Sequence, residues 1–145
     1  MWIHHQDLIP CLSSRDLQYL HRDCCNLRGA GWKLDNSHTN YIREYPREHL
    51  IAYHMLVLEE MESKDMNYNY LWYDHLYRGT SRVRLPNNNA FRERVEQLKL
   101  NVYRGDKIFK EHNEEYLKKS LKRLDDKEKV CYYYDILRKK EKDIL

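Results

Sequence analysis

The sequence predicts an all-α fold, a compact single-domain helical bundle with long connecting loops. Three observations support this prediction. Apolar residues recur at spacings of three and four in several segments, as they do along one face of a helix. Residues that favour helix ends stand at the boundaries of these segments. The alternation typical of a half-buried strand is weak throughout, and the 145 residues fit one domain with its own core.

The first helix is expected to run to about Arg28. Ser13 or Ser14 can cap its N-terminus, with Asp16 as a capping-box partner, and Gly29 is a suitable stop. Four residues spaced three, four and three apart form its apolar face: Leu17, Leu20, Cys24 and Leu27. This spacing predicts an amphipathic helix that packs on a core.

A second helix is expected to form the central core element. Pro46 suits its first turn, since proline has no backbone N–H to lose there. Its apolar face is unusually broad and consists of Leu50, Ile51, Tyr53, His54, Val57, Leu58 and Met61. A helix that is apolar around most of its surface is typical of a protein centre.

Shorter elements are expected to follow. The aromatic stretch 68–77 predicts a short helix, and residues 79–89 predict a loop. Another helix should cover about 90–103, ending near Gly105, and a last long helix should start at the capping residue Asn113. The charged tail, residues 138–145, is expected to fray.

The net charge of +3 is too small to indicate a nucleic-acid partner by itself. The distribution of charge is more informative. Between residues 78 and 94 there is a single carboxylate, Glu93, among five arginines: Arg78, Arg82, Arg84, Arg92 and Arg94. This cluster is the best candidate for phosphate contacts on composition.

The four cysteines do not form a recognisable disulfide framework. Cys24 and Cys25 are adjacent, whereas Cys11 and Cys131 stand alone. The first residues lack the pattern of a signal peptide, and no apolar run approaches the roughly 20 residues that span a membrane. We therefore expect a reduced, cytoplasmic protein with no membrane association.

His21, Arg22 and Asp23 follow one another in the first helix. Because successive helical residues point about 100° apart, the three cannot all face solvent. Asp23 falls at the edge of the apolar face, where a carboxylate is a candidate for acid–base chemistry. An ordinary ion pair with Arg22, Arg28 or a nearby lysine is the alternative.

The histidines and cysteines near the start of the chain are candidate metal ligands. His21 has the helical spacing to Cys24 or Cys25 that two metal ligands need, and His4 and His5 are further candidates. Zinc would require more convergent ligands than this spacing provides. Isolated histidines and buried cysteines explain the pattern, so no metal and no other cofactor are expected.

A series of short motifs runs in a fixed order over about residues 1–125. They are His5, Asp7-Leu8-Ile9-Pro10, His21-Arg22-Asp23, Leu27-Arg28-Gly29-Ala30-Gly31-Trp32, Asn40-Tyr41, Tyr53-His54, Leu56-Val57-Leu58-Glu59-Glu60-Met61, Tyr77-Arg78-Gly79, Glu111-His112-Asn113 and Tyr116-Leu117. Their order and spacing resemble the pyrimidine dimer DNA glycosylase family, the phage UV-endonuclease type and its small bacterial relatives.

The resemblance implies a compact all-α fold and a reaction at the N-terminal amine. Amines of this class have lower pKa values than lysine, so a neutral fraction exists at cellular pH. The amine attacks the sugar and expels the damaged base, and elimination from the resulting Schiff base breaks the strand. A carboxylate preceded by an arginine assists. Met1, which the bulky Trp2 should protect from removal, is thus the candidate nucleophile, and His21, Arg22 and Asp23 are the other candidate catalytic residues.

The partner that the resemblance implies is damaged double-stranded DNA, with no protein partner evident. The family kinks the duplex and extrudes a base. The residues expected to contact DNA, most of them around the mouth of the Asp23 cleft, are Arg28, Trp32, Lys33, Arg43, Arg47 and Arg78.

Three positions depart from the family pattern. The family usually has glutamate at Asp23, and its bacterial members usually have arginine at Trp2 and tryptophan at His4. Aspartate is shorter than glutamate by one carbon–carbon bond, about 1.5 Å. The predicted function is a glycosylase with AP lyase activity on ultraviolet-damaged DNA. The alternative is a catalytically inactive nucleic-acid-binding protein on the same scaffold.

Overall fold

The computed structural model describes residues 1–29 and 36–124, and every regular element in these ranges is helical. The α-helices are α1 (Ser14–Arg28), α2 (Arg47–Ser63), α3 (Asn89–Tyr103) and α4 (Glu114–Lys122). Three 3₁₀ helices add to them: Gln6–Cys11, Asn40–Glu44 and Tyr70–Tyr73. The all-α prediction is confirmed. The tail 138–145 lies outside the described residues.

Capping side chains define the N-termini of α1, α3 and α4, and the caps of α1 and α4 are residues that the sequence predicts. At the start of α1, the Ser13 hydroxyl accepts the Asp16 N–H at 3.2 Å and donates to the Asp16 carboxylate at 3.0 Å. Asn88 and Asn113 accept backbone N–H groups in the first turns of α3 and α4. Each cap satisfies a donor that the helix itself leaves unpaired.

Two expectations for local structure were wrong in detail. The stretch 68–77 contains only a four-residue 3₁₀ helix, because Asn69 and Asp74 accept the N–H groups two residues ahead and turn the chain. Pro46 stands at the cap position and α2 begins one residue later.

Helix α2 lies at the centre of the core. Ten of its 17 residues are buried, which places protein on nearly every side of it. It packs against α1, α3 and the 3₁₀ helix Gln6–Cys11. The predicted apolar face of α1 is buried along its whole length. Within the described ranges, no helix combines the length and apolar character needed to cross a bilayer.

Candidate active site

Residues 1–7, here called the N-terminal arm, lead into the 3₁₀ helix Gln6–Cys11 and contact α1 at Asp23. The backbone N–H of Trp2 donates to the Asp23 carboxylate at 3.2 Å. The Met1 amine is one residue further back, so chain geometry keeps it within about 7 Å of that oxygen. The structure therefore brings together two of the candidate catalytic residues that are 22 positions apart in the sequence.

A cleft of about 470 Å³ opens beside Met1. Its walls come from the C-terminal half of α1 and from the segment between residues 69 and 82. The lining residues outside the arm are Cys25, Asn26, Gly29, Asn69, Trp72, Tyr77, Arg78, Gly79, Thr80, Ser81 and Arg82. Asp23 is three residues before Asn26 and so projects from the same face of α1.

Two glycines let the walls of the cleft approach one another. A Cβ atom on Gly29 would lie 3.0 Å from the carbonyl oxygen of Arg78, where α1 meets the facing segment. Gly79 has a φ of +108°, which L-residues rarely adopt, and it packs beside the Trp72 ring. The positive φ explains why glycine stands at position 79 in the Tyr77-Arg78-Gly79 motif.

The expectation that Arg28 contacts DNA requires correction. Arg28 is 2% exposed, and its guanidinium donates to the carbonyl oxygens of Trp72, Asp74 and Tyr77 at 2.8–3.0 Å. Burial lowers its pKa to about 10, which still leaves it charged at neutral pH. Arg28 ties α1 to the facing segment and has no access to phosphate.

Arg28 also orients a pair of histidines. It lies 3.0 Å from Nδ1 of the buried His54, and because a guanidinium only donates, this nitrogen must accept. The proton of neutral His54 is then on Nε2, 2.9 Å from Nδ1 of His21. Burial and the Arg28 charge lower the pKa of both histidines. His21 is therefore a neutral ring that carries its own proton on Nε2.

His21, Cys25 and His54 are close enough to be considered as metal ligands, since their donor atoms lie within 4.8 Å of one another. The contact with Arg28 argues against this use. A metal on His54 Nε2 would need the proton on Nδ1, where it would face the Arg28 donor. The nearby guanidinium would also repel a cation. These residues do not fit a metal site.

The remaining expected DNA contacts fall into separate groups. Arg47 and Arg78 line one small hollow, where burial and then the charge of Arg78 lower the pKa of Arg47. Arg43 donates to Asn40. Arg22, a candidate catalytic residue, is exposed, and its guanidinium lies 4.9 Å from the Tyr19 ring. Trp32 and Lys33 lie outside the described residues.

The arginine cluster of residues 78–94 does not act as one surface. Arg84 pairs with Asp74, and Arg94 pairs with Glu48 at 2.6 Å, so both charges are already matched within the protein. Arg78 and Arg82 line the cleft. Arg78 also donates to the carbonyl oxygens of Gly29 and Arg28 at 3.3 and 3.4 Å, so it has a structural contact as well as a place at the cleft.

Several residues of the site had no distinguishing signal in the sequence. Asn26 and Asn69 resemble any surface asparagine, and Trp72 and Tyr77 resemble core aromatics. In the structure Trp72 and Tyr77 meet edge to face at 4.7 Å in the cleft wall. Arg82 has no signal in the sequence beyond its place in the arginine cluster.

The sequence matches the model of a known protein family. The model of a family described as pyrimidine dimer DNA glycosylase matches residues 1–74 of the 145. The matched part contains the arm, α1 and α2, and it ends before α3 and α4. No curated protein and no solved structure gave a significant match to the chain.

Proposed function

The chain belongs to the pyrimidine dimer DNA glycosylase family, and from this premise we propose that it is a DNA glycosylase with associated AP lyase activity, acting on ultraviolet-damaged duplex DNA through the Met1 amine. The hydrogen bond between the Trp2 N–H and Asp23 carries the proposal. It holds a carboxylate beside the candidate nucleophile, at the edge of a cleft that Met1 lines.

The proposed reaction begins with attack of the neutral Met1 amine on C1′ of the damaged nucleotide. The bond between C1′ and the base breaks, and its electron pair leaves with the base, which takes up a proton. The nitrogen loses one proton, O4′ takes one up as the C1′–O4′ bond opens, and a protonated Schiff base results. Removal of a proton from C2′ then forms the C2′–C3′ double bond and breaks the C3′–O3′ bond, so the phosphate leaves and the strand is cut.

Asp23 is the proposed carrier of these protons. A carboxylate within hydrogen-bonding reach of the reacting atoms can accept the amine proton and later that of C2′. The arm supports the use of aspartate here, because its backbone comes to within 3.2 Å of the shorter side chain. Arg22, next to Asp23, is proposed to face the negative charge of the strand, and His21 is kept as a neutral donor by His54.

The cleft has the size and chemistry for a nucleotide. Its volume falls within the range of pockets that bind small molecules, about 300–1,000 Å³. Trp72 and Tyr77 offer aromatic surfaces, and the Asn26 amide can bond to a base edge. Arg78 and Arg82 provide charge for the adjoining phosphates.

Borohydride trapping tests the proposal. The protein, with any tag placed at the C-terminus and its N-terminal Met1 verified by intact mass, is mixed with ultraviolet-irradiated duplex or with duplex containing one abasic site. Borohydride should reduce the Schiff base and leave a covalent adduct, which peptide mass spectrometry should place on the Met1 amine.

A matched protein with a few residues added before Met1 serves as the control. Its adduct should disappear, since the amine is no longer beside Asp23. The absence of any adduct with the unextended protein, together with salt-dependent binding to duplex DNA, would favour the inactive nucleic-acid-binding alternative. An adduct on a lysine would contradict the assignment of the nucleophile.

A further inference from the structure

The N-terminal arm is held in place by residues from the far end of the described chain. Ser120 in α4 is 0% exposed, and its hydroxyl accepts the His5 backbone N–H at 3.0 Å and the indole N–H of Trp2 at 3.2 Å. One serine oxygen thus ties two points of the arm together. These bonds span 115 and 118 residues of sequence.

A second set of bonds leaves the arm and returns to it. The Gln6 N–H donates to Nδ1 of His112 at 3.1 Å, so the proton of neutral His112 is on Nε2 and donates to the Tyr41 hydroxyl at 2.7 Å. The Tyr116 hydroxyl donates to the Ile3 carbonyl oxygen at 2.5 Å. The Tyr116 hydroxyl has only this one proton to donate, so the Tyr41 hydroxyl must be the donor in the 3.1 Å bond between the two hydroxyls.

The direction of every bond in this circuit is therefore fixed. The first donor is the Gln6 N–H and the last acceptor is the Ile3 carbonyl oxygen, and both are backbone groups of the arm. Of the side chains between them, Tyr41 lies within residues 1–74, which the family model matches, whereas His112 and Tyr116 lie outside that range. The Tyr116 ring also stacks on Trp2, with centroids 4.9 Å apart and planes 8° apart. Removal of one hydroxyl leaves buried donors or acceptors unpaired, which is costlier than the bond itself.

These contacts hold the arm from Gln6 back to Trp2, and Met1 lies beyond them and lines the cleft. We propose that Ser120 and Tyr116 are positioning residues for the Met1 amine, which hold the arm in the one register that sets the amine over Asp23. This inference rests on the proposed function. It assigns to α4, which lies outside the family match, a part in assembling the site.

Ser120→Ala and Tyr116→Phe test the proposal, with Ser63→Ala as the matched control. Tyr116→Phe keeps the stacked ring and removes only the hydroxyl, and Ser63 uses its hydroxyl on the Glu60 carbonyl at the exposed end of α2. The substrate is duplex DNA with a single abasic site, so that the base-release step is bypassed. The measurements are kcat, KM, amide hydrogen exchange of Trp2 and His5 by NMR, and reductive methylation of the Met1 amine by formaldehyde.

We expect kcat to fall about 10- to 100-fold in both variants, the loss associated with a displacement of about 1 Å. KM should stay within about twofold, and exchange at Trp2 and His5 should accelerate at least about tenfold. Methylation of the amine should proceed at the wild-type rate, because its intrinsic reactivity is unchanged. Ser63→Ala should match the wild type in all four measurements.

Unchanged kcat in the two variants despite faster exchange at the arm overturns the proposal, since the arm would then be held without consequence for the reaction. Unchanged exchange overturns it as well. A wild-type protein that forms no adduct with abasic DNA instead removes the proposed function. In that case faster exchange in the variants still establishes that Ser120 and Tyr116 hold the arm.

Discussion

The backbone of Trp2 and the side chain of Asp23 are joined by a hydrogen bond of 3.2 Å across 21 residues of sequence. The bond uses the carboxylate as an acceptor and so leaves its second oxygen for other chemistry. It is a contact that asparagine can also make, which gives a clean way to separate the structural role of Asp23 from its chemical role.

Asp23→Asn should abolish strand cleavage and preserve the fold. The amide oxygen still accepts the Trp2 N–H, but the side chain no longer takes up protons in the working pH range. We expect single-turnover cleavage of abasic DNA to fall by at least about 100-fold. Duplex binding should stay within about twofold, and the melting temperature within about 2 °C. Cleavage at the wild-type rate would remove Asp23 from the mechanism.

Phosphate contacts should depend on Arg47 and Arg78, which meet beside the cleft. Each lost phosphate contact lowers the slope of log affinity against log salt by about 0.9. Arg47→Gln and Arg78→Gln should each show this loss in titrations between low and moderate salt. Arg104→Gln, which removes an exposed charge at the end of α3, is the control and should keep the slope. Equal slopes in all variants would place the DNA elsewhere.

Arg28→Met should destabilise the protein rather than weaken its salt-dependent binding. The change removes a buried charge from three carbonyl acceptors and from His54. We expect the free energy of unfolding to fall by about 3 kcal/mol or more in urea titrations. Arg22→Gln, on the exposed side of the same helix, should cost less than about 0.5 kcal/mol. A fully stable Arg28→Met variant would show that these contacts contribute little.

Stability should fall as the pH drops below about 6.5. Burial lowers the pKa of His112 to about 3 and that of His4 to about 4. Between these values and 6.5 the unfolded chain binds protons that the folded chain excludes. The stabilisation is therefore complete above 6.5 and is lost as the pH falls towards the folded pKa values.

His112→Gln should reduce this pH dependence. Each proton that the folded chain excludes contributes about 1.4 kcal/mol per pH unit to the slope of the unfolding free energy against pH. Urea unfolding measured between pH 4 and 6 should therefore give a slope that is smaller by about this amount in the variant. A protein whose unfolding free energy is flat across this range would contradict neutral burial of His112 and His4.

The parts of the fold that could be predicted are those with local causes. Ser13 with Asp16, and Asn113 before α4, indicate helix starts because the capping bonds join residues three positions apart. The broad apolar face of α2 predicted its central place for the same reason. Every cue needed for these inferences lies within one turn or one helix.

The parts that could not be predicted have distant causes. Arg28 resembles a surface arginine until carbonyl groups from residues 72–77 are folded around it. Ser120 is an ordinary helix serine in the sequence, and its two donors are more than 100 positions away. Asp23 is a candidate from its position on the first helix, but its relation to Met1 is expected only from the resemblance of whole motifs, since no local pattern relates the two.

The bonds that join Trp2 and His5 to Ser120 determine when the arm can be fixed during synthesis of the chain. Trp2 leaves the ribosome early, and Ser120, which accepts its indole N–H, follows 118 residues later. At usual rates of elongation this interval lasts about 6 to 24 s. During this interval the Trp2 indole and the His5 N–H lack the Ser120 acceptor. On the proposed mechanism, the arm therefore gains its full set of contacts only when nearly all of the described chain has emerged.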